Sequence, residues 1–296
     1  MKEDDKLCLG TVKLGIPDYG FSSENKAEKF DGLNFLNQVG SQGINKFDTA
    51  PIYGDSESVL GKYISQTINK PFISSKIDSL IPNRTDTYKM MLKGVKSSLE
   101  KLHLEKLDIC YLHQNEISII SDPYVHDGIK QLKEDGLISK IGVSVYNFEE
   151  CEYAIESGIF DYIQIPLNIF DVSFYNRFIK KNSFPVRFVA RSLLLQGILV
   201  NREQIIKRIP SGKEILSYLL KLDFIAQENN ISTLEMALRF VYSLKNIDHY
   251  IIGTTSIQNL KMNKQYFQKK LPFDVFTLIY ELASQPKSWS NPRTWE

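Results

Sequence analysis

Along the chain, short apolar runs alternate with longer segments in which apolar residues recur every three or four positions. Eight of the short runs read as strands, at 7–12, 44–50, 71–76, 107–113, 138–144, 161–167, 186–191 and 249–253. Their length and enrichment in Ile, Val, Tyr and Phe suit buried strands. Between them lie segments with helical periodicity, such as 56–68, 85–102 and 232–244. The last opens with Ser232 and Glu235 at the spacing of a reciprocal helix cap.

Strict alternation of strand and helix predicts a parallel sheet joined by helical crossovers. Eight such units in 296 residues predict an α/β fold closed into a (βα)8 TIM barrel. An open doubly wound sheet would favour a Gly-x-Gly-x-x-Gly turn after its first strand. The sequence has none there. Without repeats or a Pro/Gly/Ser-rich linker, residues 1–296 read as a single domain, with a short C-terminal tail from about 284 to 296.

In a barrel of this kind functional side chains gather at the carboxyl ends of the strands. Asp48 ends the second predicted strand and Tyr53 lies in the loop after it. Lys76 ends the third and His113 the fourth. A phenol is a poor acid at neutral pH. A neighbouring lysine stabilises its anion, an aspartate fixes the lysine, and an imidazole can orient a carbonyl. Taken singly, each residue has a plainer reading: a turn cap for Asp48, packing for Tyr53, a snorkelling surface chain for Lys76, a structural histidine for His113. Four coincident placements at neighbouring strand ends favour one shared pocket.

Composition narrows the field. A net charge of +1 with scattered basic residues predicts neither nucleic acid nor an anionic membrane as partner. Four histidines without a His-x-His pair speak against a metal-dependent barrel hydrolase, so no metal is expected. Three cysteines in or beside apolar runs read as reduced, buried thiols. With no signal-like N-terminus and no apolar run of about 20 residues, the expected location is the cytoplasm.

The stretches LGTVKLG, GINKFDTAPIYGDSESVLG, SSK, DICYLHQ, GVSVY and IIGTTSIQNL occur in an order and spacing that resembles the aldo-keto reductase superfamily, from about Leu7 to Phe267. The resemblance implies a metal-free carbonyl reductase that holds NADPH or NADH across the barrel mouth. Tyr53 would be the general acid, Lys76 and Asp48 would tune it, and His113 would position a small-molecule carbonyl substrate. It further implies that Ser144 contacts the cofactor carboxamide and that Gln164 lies beneath the nicotinamide ring. Val145 replaces the usual asparagine. Arg191 stands where many members place a stacking aromatic residue, and can either stack or meet a phosphate.

At the eighth strand, the resemblance places Gly253, Thr254, Thr255 and Ser256 near the phosphates, and Asn259 and Asn263 near the adenosine. Thr254, Thr255 and Ser256 also read as an ordinary helix cap. Lys261 is the one cation of the segment 253–263, a weak pointer to NADPH. Substrate candidates are Tyr19, Gln114, Asn115 and the tail residue Trp289, which alternatively pins the tail; Arg293 reads as a phosphate contact or a solvated side chain. Variants such as GVSVY and RSLLLQG look like a bacterial branch associated with surface-polysaccharide and nucleotide-sugar synthesis, which suggests a sugar-like substrate. A non-catalytic, cofactor-binding regulatory protein on the same fold is the alternative.

Overall fold

The computed structural model describes residues 6–20, 30–181, 184–199, 201, 202, 205, 207, 209–285, 287–291, 293 and 295. Eight strands close a parallel barrel in chain order: β1 (Leu7–Gly10), β2 (Lys46–Asp48), β3 (Phe72–Ile77), β4 (Leu107–Leu112), β5 (Ile138–Ser144), β6 (Tyr162–Pro166), β7 (Arg187–Arg191) and β8 (His249–Gly253). Closure comes from β1 pairing with β8, where Leu9 stands opposite Ile252. The expected barrel is present.

Strand ends differ from the sequence reading by a few residues. β2 stops at Asp48 although the apolar run continues. Thr49 N still donates to Ser74 O at 2.9 Å, but the Thr49 carbonyl accepts from Lys76 Nζ at 2.8 Å instead of continuing the ladder. β4 stops at Leu112, one residue before His113, whose backbone N–H donates to Ile77 O.

The principal helices are α1 (Gly32–Ser41), α2 (Ser56–Gln66), α3 (Thr87–Leu102), α4 (Pro123–Glu134), α5 (Phe148–Glu156), α6 (Gly212–Glu228), α7 (Thr233–Ser243), α8 (Ile257–Tyr266) and α9 (Phe273–Ser284). A π-helical turn, Tyr175–Ile179, serves the β6–β7 crossover. Asn147 and Glu150 form a reciprocal cap on α5. On α7 the expected reciprocal cap is half made. Ser232 accepts from Glu235 N, whereas the Glu235 carboxylate pairs with Arg239 at 3.2 Å.

Alternation along the strands separates two environments. Phe47, Ile73, Cys110, Ile141 and Ile163 pack in the main core with the helices, which contribute residues such as Phe35, Leu36 and Val39 from α1. The other set, including Ile109, Tyr111, Tyr162 and Val189, forms a second cluster inside the barrel, joined by Phe72 and Ile251. Gly142 makes that filling possible, since a Cβ there would lie 2.4 Å from the Tyr111 ring. Above this apolar plug the same inward positions turn polar.

The tail crosses back over the barrel. Trp289, 2% exposed, packs edge-on against Phe170 and Tyr218, and its indole N–H donates to Glu214 at 2.9 Å. Ser290 adds a hydrogen bond to Asp171 at 2.7 Å. Cys8, Cys110 and Cys151 are free and buried. Among the described residues no helix is long and apolar enough to cross a membrane.

Trp289→Ala should lower the unfolding free energy by about 3 kcal/mol, the lower end for large core truncations because the tail can detach. Urea unfolding followed by circular dichroism measures this; a midpoint within error of wild type would contradict the anchoring role.

Candidate active site

The polar inward positions open into a cavity of about 650 Å³ at the carboxyl ends of the strands. Asp48, Tyr53, Lys76 and His113 all line it, as the sequence led us to expect. Lys76 Nζ lies 2.6 Å from Asp48 Oδ1, and both side chains are buried. The other carboxylate oxygen accepts from Ser74 Oγ at 3.0 Å and from Gln164 Nε2 at 2.7 Å. Such complete pairing is what makes two buried charges tolerable.

Tyr53 reaches this pair from the loop before α2. Ser56, fully buried at the start of α2, donates to Thr11 O at 3.0 Å and lies 3.0 Å from the Thr49 hydroxyl, which ties the loop to the ends of β1 and β2. Gly15 permits the fit. A Cβ there would fall 1.8 Å from Tyr53 O. Lys76 Nζ stands 5.2 Å from the Tyr53 ring centroid, and the Tyr53 and His113 rings meet edge to face at 6.2 Å.

Burial pushes the Tyr53 hydroxyl above its ordinary pKa, and Lys76 opposes this without cancelling it. The expected direction of the lysine's effect is therefore present, but desolvation outweighs it. The phenol is thus a protonated donor at neutral pH. Burial disfavours the Lys76 ammonium, yet Asp48 reverses the balance and raises its pKa. Burial, with Lys76 adding to it, pulls His113 down to about 4. Its imidazole is neutral at pH 7 and can donate one ring N–H. A carbonyl oxygen between Tyr53 and His113 would meet two donors, one with a proton to give.

Ser144 and Gln164 also line the cavity. The Ser144 hydroxyl accepts from Arg191 Nε at 3.1 Å, which leaves its own proton free to donate. Arg191 further donates to Val145 O at 2.8 Å and lies over Tyr146, its guanidinium carbon 3.9 Å from the ring centroid. Arg293, from the tail, lies 3.4 Å from the same centroid. One ring face has room for one guanidinium at that distance, so the two arginines occupy opposite faces. The charges are then about 7 Å apart and repel by roughly 0.6 kcal/mol at the dielectric of water, or about 2 kcal/mol at an effective dielectric of 20.

At the far side, Gly253, Thr254, Asn259 and Asn263 line the cavity, whereas Thr255 and Ser256 do not. Ser256 caps α8 by accepting from Asn259 N at 3.3 Å, the plainer of its two readings. Asn263 is buried, and among the described residues its Oδ1 has no hydrogen-bond partner. An orphaned buried acceptor beside a cavity fits a ligand that brings an amino group, as the adenine of a nicotinamide dinucleotide does.

The substrate candidates divide. Tyr19 lines the mouth. Gln114 does not; it is bonded in both directions to the Leu80 backbone, donating to Leu80 O at 2.9 Å. Asn115 is buried below the rim and accepts from Arg293 Nη2 at 3.5 Å. Trp289 is withdrawn from the set, because the aromatic cluster described above buries it outside the cavity. Tyr146, Ser192 and Asn201 line the cavity without having been singled out. Tyr146 sits in GVSVY, two residues after Ser144, but nothing in the sequence signals its arginine partners.

A model of the aldo/keto reductase family matches residues 6–284. The chain is 23% identical over 244 residues to D-arabinose 1-dehydrogenase of Saccharomyces cerevisiae, covering 75% of this chain and 72% of that one. In fold it resembles the glycerol dehydrogenase of Gluconobacter oxydans, with a TM-score of 0.73, 19% identity and coverage of 97% and 99%. It also resembles an aldo/keto reductase of Klebsiella pneumoniae in complex with NADP and acetate, with a TM-score of 0.70, 18% identity and coverage of 95% and 92%. The chain belongs to the aldo/keto reductase family. It is accordingly a carbonyl oxidoreductase that works with a nicotinamide cofactor.

The imidazole of His113 should titrate near pH 4 by NMR. Between its ordinary value of 6.5 and about 4 the unfolded chain takes up a proton that the folded site refuses. Stability should therefore fall as pH drops through that window and be restored above it. A midpoint near 6.5 in the folded protein would contradict the assignment of a neutral, desolvated ring.

Proposed function

We propose that the protein reduces the carbonyl group of a small polyhydroxylated compound, with Tyr53 as the proton donor. The observation that carries this reading is the buried Asp48–Lys76 pair set against a protonated phenol and a neutral imidazole. When bound, the reduced nicotinamide supplies the hydride that the carbonyl carbon accepts. His113 and Tyr53 hold the carbonyl oxygen by hydrogen bonds. As negative charge grows on that oxygen, the Tyr53 proton passes to it, and Lys76 stabilises the phenolate left behind. Asp48 keeps the ammonium charged and in place.

The same reading assigns the carboxamide to Ser144, the underside of the nicotinamide ring to Gln164 and the adenine to Asn263. Discrimination between cofactors turns on the adenosine ribose, where a carboxylate selects the 2′-hydroxyl and a cation the 2′-phosphate. Gly253, Thr254, Asn259 and Asn263 include neither. Lys261 is exposed and, two residues from Asn259, lies off the helix face that lines the cavity. NADPH and NADH should therefore bind within about tenfold of each other, a fluorescence or calorimetric comparison that a hundredfold preference would refute.

A sugar-like substrate is supported by the hydrogen-bonding side chains of Ser192, Gln196 and Asn201 around the cavity, and by the sugar or polyol names of the yeast and Gluconobacter relatives. Buried free thiols fit a cytoplasmic location. Tyr53→Phe should retain cofactor binding and lose about 10²- to 10⁴-fold in turnover, the range for a general acid. Near-wild-type turnover in that variant would remove Tyr53 from its role. Tight cofactor binding with no carbonyl turnover in wild type would favour a regulatory protein on this fold.

A further inference from the structure

The cavity carries more positive charge than the reaction uses. Among the described residues its charged lining consists of Lys13, Lys76, Arg191 and Arg293 against the carboxylate of Asp48, with His113 neutral. Lys76 is matched by Asp48. Lys13 follows β1, which pairs with β8, and a dinucleotide pyrophosphate accounts for a cation there. The two arginines are placed elsewhere. Arg191 ends β7 and bonds across to Ser144 at the end of β5, and Arg293 reaches Asn115 just after β4. Both add to the positive field around His113.

Their hydrogen-bond partners are all neutral. Arg191 donates to Ser144, Val145 and Ser192; among the described residues the Arg293 guanidinium donates to Asn115, at 3.5 Å. Among the described residues no carboxylate pairs with either one. Arg191 is tethered at three nitrogens and so acts as a fixed charge. Arg293 is exposed at the rim, its guanidinium carbon 3.4 Å from the Tyr146 centroid, and among the described residues Asn115 is the one side chain that accepts from it. A pre-positioned guanidinium that meets no carboxylate among the described residues suits bidentate binding of a carboxylate or phosphate.

We infer that the natural substrate is an anionic carbonyl compound, whose carboxylate or phosphate group is gripped by Arg293 on the Tyr146 face while its carbonyl lies between Tyr53 and His113. The inference rests on the reductase reading above and narrows its substrate class. Tyr146 is a positioning residue here, because its ring holds the Arg293 guanidinium carbon 3.4 Å from its centroid.

The test compares matched aldehydes with and without the anion: 4-oxobutanoate against butanal, and glyceraldehyde 3-phosphate against glyceraldehyde. In wild type the anionic member of at least one pair should have a kcat/KM about tenfold or more above its neutral partner. In Arg293→Ala that ratio should fall at least tenfold, mainly through KM, and Arg293→Lys should restore part of it. Whichever pair shows the larger ratio identifies carboxylate or phosphate. Ratios near one for both pairs in wild type, or a ratio unchanged in Arg293→Ala, would overturn the proposal. So would a loss of NADPH affinity in Arg293→Ala as large as the loss in kcat/KM, since the cation would then serve the cofactor.

Calorimetric titration with succinate and with glycerol 3-phosphate reads the anion site without turnover. Binding of either that is lost in Arg293→Ala supports the site, and equal affinity for the two proteins refutes it. If wild type reduces none of the four aldehydes, the reductase reading fails, and this titration still decides whether the anion site exists.

Discussion

The buried ion pair between Lys76 and Asp48 is the constraint on which the rest of the site depends. Taking two such charges out of water costs several kcal/mol each, and their attraction repays this only if the remaining donors and acceptors are also satisfied. Here Ser74, Gln164 and the Thr49 carbonyl complete the pairing. Those partners come from β3, β6 and the residue just past β2. The pair therefore exists only if the barrel closes in register, and it ends β2 early by claiming the Thr49 carbonyl. A cost in stability is accepted at the place where the proposed mechanism needs a fixed ammonium.

That ammonium sets the states of its neighbours in opposite ways. It draws the phenol pKa down, although burial outweighs it and keeps the Tyr53 hydroxyl protonated at neutral pH. It pushes the imidazole away from protonation, in the same direction as burial. One charge thus keeps a donor able to release its proton and a second donor neutral. Two guanidiniums on the faces of Tyr146 extend the positive field from the catalytic floor to the rim. Geometry supplies what composition does not show, because a chain with a net charge of +1 still concentrates cations around one cavity.

Much of the fold was legible in the sequence, because it depends on local period and order. Eight apolar runs alternating with helical segments leave few arrangements besides a parallel barrel, and all eight strands fall within the predicted runs, apart from Ile77 at the end of β3. The four residues Asp48, Tyr53, Lys76 and His113 were legible for the same reason, since strand ends of such a barrel converge. At the adenosine side the reading was mixed. Asn259 and Asn263 line the cavity, one helical turn apart on α8, whereas Ser256 turned out to serve the helix itself.

What the sequence determined by itself was therefore whatever follows from spacing: the barrel, the strand ends and the residues carried on them. Tertiary structure decided the rest. It sent Trp289 into a pocket of Phe170 and Tyr218, brought Arg293 from near the end of the chain onto Tyr146, and let desolvation outweigh Lys76 at the Tyr53 hydroxyl. Burial, and contacts between residues more than a hundred positions apart, depend on how the closed chain excludes water, and no local pattern of side chains encodes that.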